Sequence, residues 1–299
     1  MKRFVGLLAA SAIAAAIVIA ACSGGTRSVM GEPIPPATAN LQPDVIPTVP
    51  PGVVTEFPIT TPNGFPAYIT SAGGNLWFTE NSANQIGRVT TAGVVTEFTA
   101  GAATGPFDII TGPDGRPWFG AQTAQALGRV NTNGSITVVP IPTVSAHPEQ
   151  LVADKPNNSI WFAERVGRKV GVYNLTTQTL TEYPISPGLN GPAVLAGIAL
   201  DAAGNVWASD SLNDQVDELS TTGTVLQRLT LPGSTGPFSV NPWYMTLGKD
   251  GDLWVDELNG GPSSKGAIAR IDPTTLTITT YVPRGPNPSA VGVATGPKG

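Results

Sequence analysis

A tryptophan returns five times along this chain, at Trp77, Trp118, Trp161, Trp207 and Trp254, at intervals of 41, 43, 46 and 47 residues. That period is the length of one four-stranded propeller blade. The frame around the tryptophan returns with it: Asn75-Leu76-Trp77-Phe78-Thr79-Glu80 is followed by Arg116-Pro117-Trp118-Phe119, Ser159-Ile160-Trp161-Phe162-Ala163-Glu164, Asn205-Val206-Trp207-Ala208-Ser209-Asp210 and Asp252-Leu253-Trp254-Val255-Asp256-Glu257. Each frame is preceded by a short apolar strand, such as Phe107-Asp108-Ile109-Ile110-Thr111, and by a tight turn, such as Gly112-Pro113-Asp114-Gly115, where Gly supplies positive φ. After it come a third strand (Gln85-Ile86-Gly87-Arg88-Val89), a second turn (Thr91-Ala92-Gly93) and a fourth strand (Val94-Val95-Thr96-Glu97-Phe98). Short β-branched and aromatic runs between Gly, Pro and Asn clusters predict an all-β fold, a β-propeller with five complete four-stranded units. One such sheet cannot bury its own faces, so neighbouring blades pack around a central channel and the repeated Trp and Phe fill the interfaces.

The ends of the array predict an incomplete sixth unit, in a ring of the six- or seven-bladed type. Val53-Val54-Thr55-Glu56-Phe57-Pro58-Ile59 reads as a fourth strand that precedes the first complete unit, as when an N-terminal strand closes the ring. Pro288 to Thr295 reads as a first strand, and Gly296-Pro297-Lys298-Gly299 as the turn that leads into a Trp strand. The two strands between are missing, which predicts that residues 53–299 are a C-terminally truncated propeller. The alternative is a closing blade that is two-stranded or irregular.

Met1 to Ala21 reads as an export leader: Lys2 and Arg3 precede an apolar stretch of small residues, shorter than the roughly 20 residues of a comfortable membrane span. It ends at Ile19-Ala20-Ala21-Cys22-Ser23, which resembles the bacterial lipobox, so Cys22 is the expected lipidation site. A signal anchor, or a secreted protein with an incidental cysteine, is the alternative. Cys22 is the only cysteine, so no disulfide forms within the chain. Residues 22–52, rich in proline, form the expected tether between membrane and propeller. The expected location is the bacterial cell envelope, lipid-anchored on the periplasmic face or at the cell surface. Net charge is −5, and about −7 once Lys2 and Arg3 leave with the leader. With no basic run and no aromatic-basic interleaving, nucleic acid is not an expected partner. The partners that remain are a small molecule, a peptide or an envelope protein at the channel mouth, taken by a monomer.

Two sets of residues carry chemistry. His147, the only histidine, stands at the start of the third unit's first strand, where loops face the channel mouth, and is the candidate general base. The residue three after each Trp is Glu80, Ala121, Glu164, Asp210 and Glu257, acidic in four units of five. Superposed by the repeat, these acids predict a partial ring of carboxylates suited to a hard cation, Mg2+ or Ca2+. Their structural alternative is an ion pair to the third-strand Arg, which suits Glu80 with Arg88 and Glu257 with Arg270 but leaves Glu164 and Asp210 unexplained.

The units Gly74-Asn75-Leu76-Trp77-Phe78-Thr79-Glu80, Asn84-Gln85-Ile86-Gly87-Arg88-Val89 and Gly93-Val94-Val95-Thr96-Glu97-Phe98 resemble the repeat of the virginiamycin B (streptogramin B) lyase family, whose broader relatives are NHL-type and gluconolactonase-like propellers. That resemblance implies a Mg2+-dependent opening of a cyclic depsipeptide by elimination at its ester, with histidine and glutamate at one mouth of the channel. The family's His-bearing first strands are not matched: their positions hold Ala67, Phe107, Glu149, Ala196 and Trp243. Two functional readings therefore stand: a propeller that binds a ligand or partner at its mouth, and a lyase-like or lactonase-like enzyme.

Overall fold

The computed structural model describes the backbone of residues 3–6, and residues 55–185, 191–260, 266–282 and 292–295. Cys22, the tether and most of the leader lie outside the described residues. All described regular structure is β-strand. Strands β1 (Arg3–Gly6) and β2 (Thr55–Pro58) form an antiparallel pair. Five four-stranded sheets follow, each an antiparallel meander in chain order. Blade 1 is β3 to β6 (Pro66–Ala72, Asn75–Glu80, Gln85–Val89, Val95–Thr99) and blade 2 is β7 to β10 (Pro106–Thr111, Pro117–Ala121, Ala126–Val130, Ile136–Pro140). Blade 3 is β11 to β14 (Pro148–Asp154, Ser159–Glu164, Lys169–Asn174, Thr179–Pro184). Blade 4 is β15 to β18 (Leu195–Leu200, Val206–Asp210, Gln215–Leu219, Val225–Thr230), and blade 5 is β19 to β22 (Pro242–Leu247, Leu253–Glu257, Ala267–Ile271, Ile278–Tyr281).

The blades pack as the repeat requires. First strands of successive blades lie side by side and line the axis. Trp77, Trp118, Trp161 and Trp207 each join an apolar cluster shared with the following blade, and each is less than a tenth exposed. In blades 1 to 3 the Phe after the Trp lies over the third-strand glycine: a Cβ on Gly87, Gly128 or Gly171 would stand about 2 Å from the ring of Phe78, Phe119 or Phe162. The first-turn aspartates anchor the indoles, with Trp118 Nε1 donating to Asp114 Oδ1 at 2.9 Å and Trp207 Nε1 to Asp201 Oδ2 at 3.0 Å.

Every first strand carries the same irregularity. Pro66 faces Glu80 and Ile69 faces Phe78, so Ala67 and Tyr68 together oppose Thr79, and the same register shift recurs in blades 2 to 5. A bulge of this kind bends its strand and re-aims a side chain. Here it directs the third residue of each first strand, Tyr68, Asp108, Gln150, Gly197 and Tyr244, toward the axis. The residue before the strand is left-handed in blades 1, 2, 3 and 5, with φ of 52° at Phe65, 59° at Gly105, 53° at His147 and 56° at Asn241.

The expected ring closure is found in part. Residues 292–295 run against blade 5, with Thr295 Oγ1 donating to Leu247 O at 2.6 Å. On the other side Phe57 of β2 lies on Gly93 of blade 1. Among the described residues no four-stranded sixth blade is present.

Candidate functional site

The strand-start mouth gathers the residues best equipped for recognition. His147 and Glu149 flank Pro148 at the head of β11, where the left-handed turn and the bulge bring both to the mouth. His147 is 38% exposed at its side chain and Glu149 is 1% exposed. His147 Nδ1 is 3.4 Å from Glu149 Oε2 but makes no aligned hydrogen bond. That oxygen accepts Gln122 Nε2 at 2.7 Å, while Oε1 is buried without a partner. A buried carboxylate oxygen without a donor is costly unless something supplies one, which marks it as a ligand-facing group.

Two phenols, Tyr68 and Tyr244, lie within electrostatic reach of this carboxylate and belong to a chain of aromatic rings. Tyr68 meets Phe107 edge-on at 4.9 Å and Tyr244 at 5.2 Å, and Trp243 lies 6.2 Å from Tyr244. Arg165, whose N–H donates to His147 O at 3.2 Å, places its guanidinium 4.5 Å from the Trp243 ring. Burial raises the Tyr68 and Tyr244 phenols above their ordinary range, and the nearby acids Glu149 and Asp108 add to this, so both stay neutral hydroxyls. Below them Asp108 is pushed up to about 7 by burial, although its oxygens accept Ile109 N at 2.9 Å and Leu151 N at 2.7 Å. Gln150 crosses the axis: Oε1 accepts Ile198 N and Met245 N, and Nε2 donates to Met245 O at 2.9 Å.

The other mouth holds a cavity of about 640 Å³, lined by Ile110, Val152, Leu200 and Leu247 above Gln150. Its acids are engaged within the fold, since Asp154 takes Asn157 and the Trp161 indole, and Asp201 takes Asn205 and the Trp207 indole. The recognition chemistry is therefore concentrated at the His147 mouth.

The four repeated acids do not converge. Glu80, Glu164, Asp210 and Glu257 end the second strands, one strand removed from the axis, and each is buried inside its own blade. Among the described residues no three of His, Cys, Asp and Glu come together as a metal site. Asp210 serves the turn after its strand, accepting Val194 N at 3.0 Å and Asn213 Nδ2 at 2.6 Å. Burial first, then Glu182, raises Glu164 to about 8; burial, then Asp214 and Asp256, raises Glu257 to about 8; burial and then Glu97 raise Glu80 to about 7. The expected pairing with third-strand arginines is also replaced. Arg88, Arg129 and Arg270 stand opposite Trp77, Trp118 and Trp254 in the register and lie 5.6 to 5.8 Å from their ring centres. Arg270 pairs instead with Asp252 at 2.5 Å and Asp250 at 3.4 Å.

The Mg2+ implied by the family resemblance does not fit this mouth. Asp108 spends both oxygens on backbone N–H groups, Glu149 has one oxygen to offer, and the family's histidine positions hold Ala67, Phe107, Glu149, Ala196 and Trp243. A hard divalent cation needs several converging oxygens.

Sequential four-stranded blades with inner first strands and a mouth built at their bulged starts define a β-propeller. The chain belongs to the virginiamycin B lyase family, whose model matches residues 38–299. Virginiamycin B lyase from Staphylococcus aureus is 27% identical, with 77% of this chain and 74% of that one covered and a TM-score of 0.67. A streptogramin B lyase structure is 25% identical over 78% and 70% of the two chains, with a TM-score of 0.62. A gluconolactonase from Xanthomonas campestris shares the fold at 12% identity, over 73% and 75% of the chains, with a TM-score of 0.53. No curated protein sequence matches.

Proposed function

We propose that this protein is an exported, lipid-anchored propeller of the bacterial cell envelope that binds a small molecule or peptide at the His147 mouth without opening it. The observation that carries this reading is the Glu149 carboxylate, 1% exposed, with Oε1 lacking a donor, within electrostatic reach of the Tyr68 and Tyr244 phenols. A ligand N–H or O–H satisfies that oxygen, and a flat ring packs against the half-buried Phe107 and Trp243. His147 and Arg165 at the rim add donors for a ligand carbonyl. Cys22 is the attachment point of the anchor, and residues 22–52 the spacer.

The second reading is a carbon–oxygen lyase, favoured by family membership and by the 3.4 Å approach of His147 Nδ1 to Glu149. Glu149 would hold the imidazole while it takes a proton. A streptogramin B antibiotic separates the two readings. Titrating it while recording Trp fluorescence, and chromatographing the mixture with and without added Mg2+, is expected to give saturable binding and intact cyclic compound. Glu149→Gln is expected to weaken binding about tenfold. Linear product that disappears in His147→Ala would establish the lyase instead, and no binding of any cyclic or linear peptide would remove the mouth as a site.

A further inference from the structure

The buried polar atoms left without partners around the His147 mouth and the axis behind it are mostly acceptors. Glu149 Oε1, Asn241 Oδ1 and Asp256 Oδ1 are oxygens without a hydrogen bond. Asn241 stands before Pro242 as His147 stands before Pro148, and both are left-handed, with φ of 56° and 53°. Asp256 Oδ2 accepts Gly292 N at 2.5 Å, so only its other oxygen is left over. Tyr244 joins this set: it is 3% exposed, and its hydroxyl, beside the Tyr68 phenol, makes no aligned hydrogen bond.

Negative charge at the same place lacks a counter-charge. Burial first, then Asp108, Glu149 and Asp256 from blades 2, 3 and 5, raise the Tyr68 phenol of blade 1, so all three carboxyls lie within electrostatic reach of one hydroxyl. Burial and then Glu149 raise Tyr244. Among the described residues the ion pairs of Lys and Arg go to Asp114, Glu182, Asp217, Asp250 and Asp252, and none goes to these three. Arg165 at the rim lies over Trp243 instead. Buried acceptors beside an unneutralised carboxylate are costly until a positively charged donor meets them.

We propose that the ligand of the His147 mouth is an organic amine, its protonated nitrogen held by Glu149 and the Tyr244 hydroxyl and its apolar body packed on Phe107 and Trp243. This rests on the mouth being the binding site and adds the charge of what binds there. A primary ammonium brings three N–H donors and one positive charge, and its hydrogen bond to a carboxylate is roughly twice as strong as a neutral one. An aromatic face also accepts a cation, as Trp243 does for Arg165.

The test titrates the full chain by calorimetry at neutral pH with three probes of one shape: phenethylamine, phenethyl alcohol and hydrocinnamate. The amine is expected to bind at least about tenfold more tightly than the alcohol, and the anion not at all. Glu149→Gln is expected to weaken the amine about tenfold and to leave the alcohol unchanged, and Tyr244→Phe to act in the same direction with a smaller effect. The Tm of each variant reports that it is folded. No amine binding, no preference for amine over alcohol, or an amine affinity untouched by Glu149→Gln would each overturn the proposal. If streptogramin B still binds in those cases, the mouth stands as the site and only the charge of its ligand is refuted; if neither it nor any probe binds, both readings fall.

Discussion

At the scale of single residues, the axis depends as much on a missing side chain as on those present. Gly197 is the one position in the axial set without a side chain, and a Cβ there would stand 2.2 Å from Trp243 O and 3.1 Å from Met245 N. That backbone approach lets Gln150 of blade 3 reach past blade 4 to Met245 of blade 5. Gly197→Ala is expected to cost about 1–3 kcal/mol, because the obstacle is main chain and not a movable side-chain end, and urea unfolding would measure it. An unchanged midpoint would mean that blades 4 and 5 slide apart freely. None of this was legible in the residues, since Gly197 follows no turn signal. Glu149 was legible only as a departure from a family motif. Its hydrogen bond from Gln122 and its nearness to Tyr68 and Tyr244 bring together strands of several blades, which no local pattern encodes.

At the scale of the blade, one hydroxyl joins two sheets. Gly197 N donates to Ser209 Oγ at 2.6 Å, and Ser209 Oγ donates to Trp243 O at 2.5 Å; in blade 1 Tyr68 N, Thr79 Oγ1 and Phe107 O repeat the arrangement. The bulge explains it, since the extra residue frees an N–H from the ladder and the residue two after the Trp captures it. Ser209→Ala leaves a buried N–H and C=O unpartnered and is expected to cost about 1–3 kcal/mol, whereas Ser209→Thr is expected to cost less. Thermal unfolding of the two variants distinguishes this bridge from simple loss of volume. The Trp period gave the blades their number and order because an aromatic at every interface is a local, repeated signal. The acids misled for a geometric reason. A residue three after the Trp faces the opposite side of its strand, and the second strand stands about 4.8 Å outside the channel wall, so repetition stacks these side chains inside separate blades.

At the scale of the whole molecule, the buried carboxyls set how stability varies with pH. Burial is the leading cause that lifts Glu80, Asp108, Asp217 and Asp256 to about 7, and Glu164 and Glu257 to about 8, from ordinary values of 4.5 for Glu and 3.8 for Asp. A carboxyl whose folded value is raised holds its proton more tightly in the folded state. Its contribution is complete below the unfolded value and is lost as pH climbs through the folded one. Glu97 and Glu182 act in the opposite sense: against the pull of burial, hydrogen bonds from Thr60 and Thr61, and from Thr143 with Lys169 nearby, lower them, so they lose stabilisation in acid. With Asp210 and Glu218 also raised by burial and Asp272 also lowered, eight raised carboxyls outweigh three lowered ones, and the Tm is expected to peak near pH 5 and to fall by several degrees toward pH 8. The control is Glu257→Gln, a neutral side chain of the same shape. It is expected to flatten part of that fall and to raise the Tm at pH 8 while leaving pH 5 nearly unchanged. A Tm that instead climbs steadily from pH 5 to pH 8 would mean that these carboxyls are ionised in the folded protein, each held by a cation or a donor, and the repeated acids would again become candidates for a ligand site.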